Sequence, residues 1–533
     1  MTGTRTIDAV IVGAGFAGMY AVHKMREMGI VAHAFEAGPD VGGVWYWNRY
    51  PGARCDVESM QYSYSFSPEM DQEWDWTERY ARQPEILAYL NHVADRFDLR
   101  RDISFSTRVV SAIYDTQSGR WDVRTDRGDH FRARYCIMAS GSLSAARLPD
   151  IAGIESFGGP IFHTGAWPAE EPDFSGKRVA VIGTGSSGVQ AIPQLAAVAE
   201  HVVVFQRTAN FVVPARNQPI APPLRDALKA DYPAMRVRAR QVGTLYDFSE
   251  ISAFAVSPSE REAEYRGRWE LGGVNFVHAF NDIMLDQRAN DTAADFVRER
   301  IREAVNDRAV AERLCPTGYP LGAKRICVGS DYYETYNRAN VSLVDLRETP
   351  IAQVGGTAIT TSETTFPIDA IVCATGYDAL TGALARIDIR GQNGVALADK
   401  WADGPRNYLG LMSVEFPNMF IITGPGSPSV LVNMVVGIEQ HVDWIAACIA
   451  DLEAAGATAI VPARSAEDDW VQRVNDEADL TLFPRANSWY LGANIPGKPR
   501  VFMPFVGGIG RYRAICDQVA ADGYAGFEIS KEG

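Results

Sequence analysis

Paired cysteines are missing from this 533-residue sequence. Its seven cysteines, at positions 55, 136, 315, 327, 373, 448 and 516, form no C-x-x-C pair and no cluster with histidine. This spacing argues against a disulfide framework, a redox-active disulfide and a zinc site. We therefore expect free, mostly buried thiols of the kind found in a reducing cytoplasm, and no metal site.

Excess positive charge and long apolar runs are also lacking. The formal charge is −15, whereas binding a phosphate backbone requires clustered Lys and Arg. The sequence has no run of 18 or more apolar residues, which is the length that a helix needs to span a bilayer. Residues 7–22, IDAVIVGAGFAGMYAV, come closest to an export signal but have neither a basic leader nor a cleavage pattern. We expect a cytoplasmic monomer with neither nucleic acid nor membrane among its partners.

A glycine turn follows a buried strand near the N-terminus. Residues 7–12, IDAVIV, are mainly apolar. Gly13, Gly15 and Gly18 then spell G-x-G-x-x-G, and residues 19–28 have helical spacing. In this motif the first glycine makes the turn, the second admits a pyrophosphate and the third lets helix and strand pack. A second strand, residues 31–35, ends at Glu36, whose carboxylate can accept ribose hydroxyls and repels a 2′-phosphate. This unit predicts an FAD site.

The same pattern recurs in the middle of the chain. A strand at residues 178–182 precedes Gly183, Gly185 and Gly188, and helical spacing follows over residues 189–197. The next strand, residues 202–205, leads to Arg207 and Thr208 instead of an acid. Arginine at this place suits a 2′-phosphorylated ribose. This unit predicts an NADPH site, with a solvated surface charge as the alternative for Arg207.

Five further segments carry a family resemblance. Residues 157–168, FGGPIFHTGAWP, match F-x-G-x-x-x-H-x-x-x-W-P between the two glycine turns. Together with GGVWYWNRYPGARCDVES (42–59), AKR (323–325), GPGSPSVLVNM (424–434) and SWYLGANIPGKPRVFM (488–503), they make the chain resemble the type I Baeyer–Villiger monooxygenases. The closest likeness is to phenylacetone and steroid monooxygenases, with cyclohexanone monooxygenase more distant. The buried strand with A-T-G at 374–376 is also typical of such two-domain flavoproteins.

The resemblance implies a reaction and two residues for it. NADPH reduces FAD, the reduced flavin takes up O2 as a C4a-peroxyflavin, and attack on a ketone gives a Criegee adduct that rearranges to an ester or lactone. A fixed cation should stabilise the negative oxygens, and by resemblance it is Arg325, a residue type that stays protonated. Asp56 would orient its guanidinium. For each residue alone, an ordinary surface ion pair remains the alternative.

The resemblance assigns further residues to the two cofactors and to the ketone. Lys324 would join Arg207 and Thr208 at the 2′-phosphate, and Trp489 would contact the nicotinamide nucleotide, a core aromatic being its alternative. The resemblance also implies cofactor contacts at positions other than the glycines, Glu36, Arg207, Thr208, Lys324 and Trp489. These are Phe16, Ala17, Val44, Trp45, Tyr46, Trp47, Arg54, Cys55, Asp56, Tyr62, Val109, Thr184, Ser186, Ser187, Arg325 and Met434. The ketone pocket, expected to be mainly apolar, would be bounded by Ser429, Val430, Leu431 and Met434.

The segment at 157–168 is predicted to connect domains that shift during the reaction. Its glycines permit the path of the chain, and His163 and Trp167 would anchor it by hydrogen bonding and packing. A buried, hydrogen-bonded histidine is the favoured interpretation of His163. A role as general acid or base is the alternative.

These patterns predict an α/β fold with two Rossmann-like dinucleotide-binding domains. Residues 1–140 and 385–533 would form an FAD domain split by the NADP domain, residues 150–210 and 325–380. Between the NADP segments, residues 215–320 are predicted to be a helical insert that covers the NADP domain.

Three other functions share some of these features. A flavin-containing N- or S-monooxygenase has both glycine turns, but its linker usually ends in Tyr where this chain has Trp167 and Pro168, and it has less use for Arg325. A disulfide reductase needs the missing cysteine pair. A flavin-binding sensor or scaffold would bind the flavin without ketone-stimulated turnover.

Overall fold

The computed structural model describes residues 4–531. Its strands are β1 (Arg5–Val12), β2 (Ala32–Phe35), β3 (Ile103–Ser104), β4 (Val109–Asp115), β5 (Arg120–Thr125), β6 (His130–Met138), β7 (Ile161–His163), β8 (Arg178–Ile182), β9 (His201–Gln206), β10 (Val212–Pro214), β11 (Cys327–Gly329), β12 (Val341–Asp345), β13 (Ile351–Gly355), β14 (Ala358–Thr361), β15 (Thr365–Pro367), β16 (Ala370–Cys373), β17 (Asp388–Arg390), β18 (Met419–Ile421), β19 (Ala457–Pro462) and β20 (Phe527–Lys531).

The helices make up most of the remaining regular structure. They are α1 (Phe16–Glu27), α2 (Val44–Trp47), α3 (Pro68–Glu73), α4 (Gln83–Arg96), α5 (Ser186–Val198), α6 (Pro222–Val242), α7 (Pro258–Leu271), α8 (Gln287–Ala304), α9 (Arg308–Leu314), α10 (Tyr332–Thr335), α11 (Gly382–Ala385), α12 (Leu397–Lys400), α13 (Met434–Ala454), α14 (Arg464–Asp479) and α15 (Ile509–Ala521).

The first large sheet draws its strands from both ends of the chain. Its order is β17-β4-β5-β6-β1-β2-β3, with β18 also paired to β6. The central strand β1 runs parallel to both β2 and β6. Ala9 and Ile11 enter the core on one face of the sheet, whereas Val10 and Val12 enter the core on the other. Because the second half of β1 is buried on both faces, its residues Ala9–Val12 are all apolar.

The second large sheet is built from the middle of the chain. Its five strands are ordered β12-β9-β8-β16-β7, and every pair in it is parallel. Val179 and Val181 of β8 face one core, and Ala180 and Ile182 face another. Two large sheets, the first mixed and the second wholly parallel, each have a glycine turn after a central parallel strand. They confirm the predicted α/β class with two Rossmann-like units. The exact domain limits stay a prediction.

The helical insert contacts both halves of the molecule. Tyr232 and Ala239 of α6 lie in the core of the first sheet's domain. Tyr265 of α7 and Phe296 of α8 lie in the core beside the second sheet. Helices α7 and α8 thus pack beside the second sheet, as predicted for the insert, whereas α6 packs on the first half through Tyr232 and Ala239.

Local details differ little from the sequence expectation. Helix α1 begins at Phe16, three residues before the predicted start, because Gly15 is its N-cap. Helix α5 likewise begins at Ser186, after Gly185. All seven cysteines are free and buried, as expected. None of the helices within residues 4–531 is long and apolar enough to cross a bilayer.

Candidate active site

The two glycine turns adopt nearly the same conformation. Gly13 and Gly183 both have φ of +107°, which a residue with a side chain rarely adopts. A Cβ on Gly18 would lie 1.8 Å from the Gly13 carbonyl oxygen, and one on Gly188 would lie 2.3 Å from that of Gly183. Each helix therefore packs directly on its turn, and its N-terminal N–H groups point to the position where a pyrophosphate would bind.

Glu36 lies at the end of β2, beside the first turn. Its carboxylate is buried and accepts hydrogen bonds from the N–H groups of Ala14, at 2.8 Å, and Gly38, at 2.7 Å. Burial raises the pKa of this carboxyl, while the two backbone donors oppose that rise. Each carboxylate oxygen has a second lone pair, so Glu36 can still accept the hydroxyls of a ribose.

The residues predicted to border the flavin gather beside the first turn. Residues 44–47 form the short helix α2. The Trp45 indole N–H donates to the Tyr62 hydroxyl at 3.1 Å, and Tyr62 packs edge-on against Phe16, with ring centroids 5.2 Å apart. Ala17 is buried beside Phe16 in α1. Met434 is the first residue of α13.

Val109 is placed differently from the other predicted flavin residues. It opens β4, and its side chain is buried in the core on the far face of the first sheet. Its neighbour Thr107 donates its backbone N–H to the Glu36 carbonyl at 2.8 Å. Only the backbone near Val109 thus approaches the first turn.

The second turn opens onto free space. A Cβ placed on Gly185 would meet no atom within 4 Å. Ser186 is exposed and Ser187 half-buried at the N-terminus of α5. The Thr184 hydroxyl donates to the carbonyl of Thr208 at 3.1 Å, which fixes the end of β9 against the turn.

Two cations, Arg207 and Lys324, lie near enough to interact electrostatically at this end of β9. Burial lowers the pKa of Lys324, and the positive charge of Arg207 lowers it further. The Lys324 ammonium also lies over the Tyr319 ring, 4.6 Å from its centroid. Two neighbouring cations repel each other, so an anion between them would be stabilised. The structure thus brings Lys324 next to Arg207, although 116 residues separate them.

Arg325 and Asp56 form a two-pronged ion pair between the two halves. The Arg325 Nε and Nη2 donate to the two carboxylate oxygens of Asp56 at 2.9 and 2.8 Å, and its Nη1 donates to the carbonyl of Val430 at 2.9 Å. Their side chains are only 24% and 25% exposed. Burial acts to lower the pKa of Arg325, but the charge and hydrogen bonds of Asp56, together with nearby Tyr490 and Tyr246, raise that pKa well above its ordinary value. The guanidinium stays charged.

Arg325 has two N–H donors beyond those that contact Asp56 and Val430. A guanidinium has five N–H donors, and the contacts to Asp56 and Val430 use three of them. The two that remain, one on each terminal nitrogen, can bind a negatively charged oxygen.

The predicted ketone loop lies next to this ion pair. Residues Ser429–Leu431 form a 3-10 turn, and the carbonyl of Val430 is the one that Arg325 contacts. Leu431, Met434 and Trp489 pack against one apolar cluster. Trp489 is half-buried and also contacts the cluster around Leu380.

His163 ends β7, the edge strand of the second sheet. Its Nδ1 accepts a hydrogen bond from the N–H of Gly165 at 2.9 Å. Burial lowers its pKa, so the ring is neutral at pH 7. Nearby, the N–H of Trp167 donates to the carbonyl of Trp47 at 3.1 Å, which links the segment to the flavin-bordering helix α2. This geometry is that of an anchored connection.

Three residues near Arg325 were not predicted as site residues. Burial lowers the pKa of His278 to about 4, helped by the charges of Arg268 and Arg325. His278 stacks on Tyr246, with ring centroids 5.5 Å apart. Burial raises the pKa of Tyr490 to about 12, against the effect of nearby Arg325. Only Tyr490 had a sequence signal, its place beside Trp489; Tyr246 and His278 come from the helical insert, which carries no motif.

Comparison with known proteins places this geometry in a family. The flavin-binding monooxygenase-like family model matches residues 7–223. A Baeyer–Villiger monooxygenase of Pseudooceanicola batsensis is 44% identical over 98% of this chain and 96% of its own. A phenazine N-monooxygenase of Lysobacter antibioticus is 41% identical over 98% and 97%.

A solved structure agrees with these relatives in fold and sequence. An oxidised steroid monooxygenase bound to NADP has a TM-score of 0.95 and 54% identity, covering 99% of this chain and 100% of its own. The chain has two dinucleotide-binding turns with an arginine held between them, and it is similar to these relatives along its whole length. This chain therefore belongs to the Baeyer–Villiger monooxygenases.

Proposed function

We propose that this protein oxidises ketones to esters or lactones with NADPH and O2, using Arg325 as its fixed cation. The observation that carries the proposal is the Arg325–Asp56 pair, which leaves two N–H donors at the junction of the two dinucleotide units. Negative charge that develops on oxygen during ketone oxidation would be stabilised by those donors. Asp56 keeps the guanidinium oriented.

The residues present fit both cofactors. FAD fits the first turn, where the buried Glu36 has lone pairs available for a ribose. NADPH fits the second, where Gly185 faces open space and the positive charges of Arg207 and Lys324 are near each other. When bound, the flavin supplies the redox and oxygen chemistry. The chain binds and orients both nucleotides and holds the arginine.

The ketone would bind against the apolar side chains around Leu431. Leu431, Met434 and Trp489 contact one cluster that also contains Phe502. Such a surface suits a ketone, which has one acceptor and no charge. Substrate size would be set by this loop, and the monomeric state and cytoplasmic location expected from the sequence stay predictions.

The function is tested by product identification. Purified protein with FAD and NADPH is given aryl, cyclic and steroid ketones, and products are identified by mass spectrometry. We expect an ester or lactone from at least one class, with one NADPH consumed for each product. If NADPH were oxidised only with reduction of O2 to hydrogen peroxide, and every ketone were returned unchanged, the proposal would be contradicted.

N-oxygenation is the second candidate function. It is favoured by the 41% identity to a phenazine N-monooxygenase. A nitrogen lone pair takes oxygen without a substrate oxyanion, so this reaction has less need of Arg325. Adding phenazines and tertiary amines to the substrate panel separates the two functions, since Arg325→Ala should spare only N-oxide formation.

Leu431→Gly is expected to change the order of preferred ketones. The substitution removes an apolar side chain from the proposed pocket, so bulkier ketones should rise in the ranking of kcat/KM. NADPH-dependent flavin reduction should stay within about twofold, because the loop is not part of the second glycine turn. Leu480→Gly, at a leucine that is 75% exposed, is the control. An unchanged ranking would remove Leu431 from the pocket.

A further inference from the structure

One glutamine of α5 contacts the segment that carries Asp56. The hydroxyl of Tyr50 donates to the Gln190 Oε1 at 2.7 Å, and the Gln190 Nε2 donates to the carbonyl of Arg54 at 3.1 Å. The Arg54 N–H points at the same Oε1 at 3.4 Å. Tyr50 and Arg54 belong to the first half of the molecule, whereas Gln190 lies one turn into the helix after the second glycine turn. These bonds cross between the halves.

The side-chain amide of Gln190 can form these hydrogen bonds in one orientation only. A backbone carbonyl accepts and cannot donate, so the group facing Arg54 must be the NH2. The oxygen then faces Tyr50, which is buried and whose pKa is raised by that burial to about 12. Tyr50 is therefore a protonated donor at neutral pH. Both ends of the amide are thus matched to their partners.

The contact requires a close approach of the backbones. Gly52 has φ of +85°, and a Cβ there would lie 2.4 Å from the Gln190 carbonyl oxygen. The Ala53 carbonyl accepts from the N–H of Gln83 at 2.9 Å, and the Cys55 N–H donates to Ala81 at 3.2 Å. The chain before Asp56 is therefore held between α5 on one side and residues 81–83 on the other.

The partner of Asp56 is supported by the same helix. Arg325 is followed closely by β11, which packs on α5, since a Cβ on Gly329 would lie 2.8 Å from the Val189 Cγ1. Ser186, at the start of α5, lies with its hydroxyl 3.6 Å from the Cys327 sulfur. Helix α5 thus contacts the chain near both members of an ion pair that are 269 residues apart.

We propose that Gln190 is a positioning residue that fixes Asp56, and through it the Arg325 guanidinium, relative to the nucleotide-binding helix. This inference rests on the proposed function of Arg325. A misplacement of about 1 Å can cost about 10²-fold in rate, so loss of these bonds should affect oxygen transfer. The proposed nucleotide site consists of Gly185, Ser186 and the cations at β9, whereas the Gln190 amide already has Tyr50 and Arg54 as partners.

Gln190→Ala is expected to lower the yield of ester per NADPH oxidised about tenfold, with hydrogen peroxide as the other product. The dissociation constant for NADP+, measured by calorimetry, and the flavin reduction rate should stay within about threefold. Tyr50→Phe removes one of the bonds and should give a smaller loss in the same direction. Gln518→Ala, at an exposed glutamine of α15, is the control and should behave as wild type.

A double-mutant cycle with Asp56→Asn tests whether Gln190 acts through Asp56. If Gln190 acts through Asp56, Gln190→Ala should add less than about twofold to the loss already caused by Asp56→Asn, because coupled residues are not additive. Full additivity, or equal losses in NADP+ affinity and ester yield, would overturn the inference. If wild type forms no ester at all, the proposed function fails instead.

Discussion

Arg325→Ala is expected to abolish ester formation while FAD stays bound and NADPH still reduces it. The guanidinium supplies the charge that opposes negative oxygens, and its two uncommitted donors are lost with it. Removing one such stabilising donor typically costs about 10²–10³ in rate, or about 2.7–4 kcal/mol. Rapid-mixing measurements of flavin reduction, combined with product analysis, separate the two half-reactions. NADPH consumption should continue and yield hydrogen peroxide.

Two variants sharpen this test. Arg325→Lys keeps the charge but lacks the planar fork of donors that contacts Asp56 and Val430 together, so a partial loss is expected. Arg302→Ala removes another two-pronged pair, with Glu312 at 2.8 and 3.0 Å, whose side chains are 44% and 46% exposed. It should leave turnover unchanged. A near-normal ester yield in Arg325→Ala would exclude Arg325 from the reaction.

Arg207→Ala and Lys324→Ala are each expected to weaken the use of NADPH about 10- to 100-fold. A phosphate carries about −1.5 to −2 charge at pH 7, and NADH has a hydroxyl in its place. A hydrogen bond to a charged group contributes about 1.5–3 kcal/mol, with about 1.4 kcal/mol per factor of ten. NADH use should change little because it never made these contacts. Flavin reduction rates against both coenzymes at several concentrations provide the measurement.

The control for coenzyme choice is an arginine whose charge already has a partner. Arg347 donates to both oxygens of Asp345, at 3.1 and 2.7 Å, and lies in the turn after β12 at the edge of the second sheet. Arg347→Ala should leave the ratio of NADPH to NADH use unchanged. Equal losses for both coenzymes in Arg207→Ala or Lys324→Ala would mean that the residue acts on the fold or the flavin, not on the 2′-phosphate.

The local parts of the fold were predictable because short-range rules govern them. A buried parallel strand needs apolar residues on both faces, and a tight turn that admits phosphate needs glycines at set intervals. Both units could therefore be read from residues 7–36 and 178–208. The start of α1 at Phe16 was missed, since helical periodicity becomes visible only after the glycine turn has ended.

No short-range sequence rule predicts which distant residues come into contact. Spacing gives no reason to pair Arg325 with Asp56, and only the family resemblance placed them together. The helical insert was predicted as helix from its composition, yet its division between two cores depends on which surfaces lie beside it. Gln190 lies in the helix predicted after the second glycine turn, where it is one of several polar residues. Nothing in the G-x-G-x-x-G motif predicts its contact with Tyr50 and Arg54.

The sequence by itself determined the class of fold, the two glycine turns and the acid or base that follows each, because these depend on neighbours within about 30 residues. Tertiary structure decided the orientation of Arg325 and the approach of Gln190 to the Asp56 segment, whereas the nearness of Lys324 to Arg207 was implied only by the family resemblance. Each of these joins chain segments more than 100 residues apart, and such contacts are fixed by how two sheets and a shared helix pack, not by any local pattern.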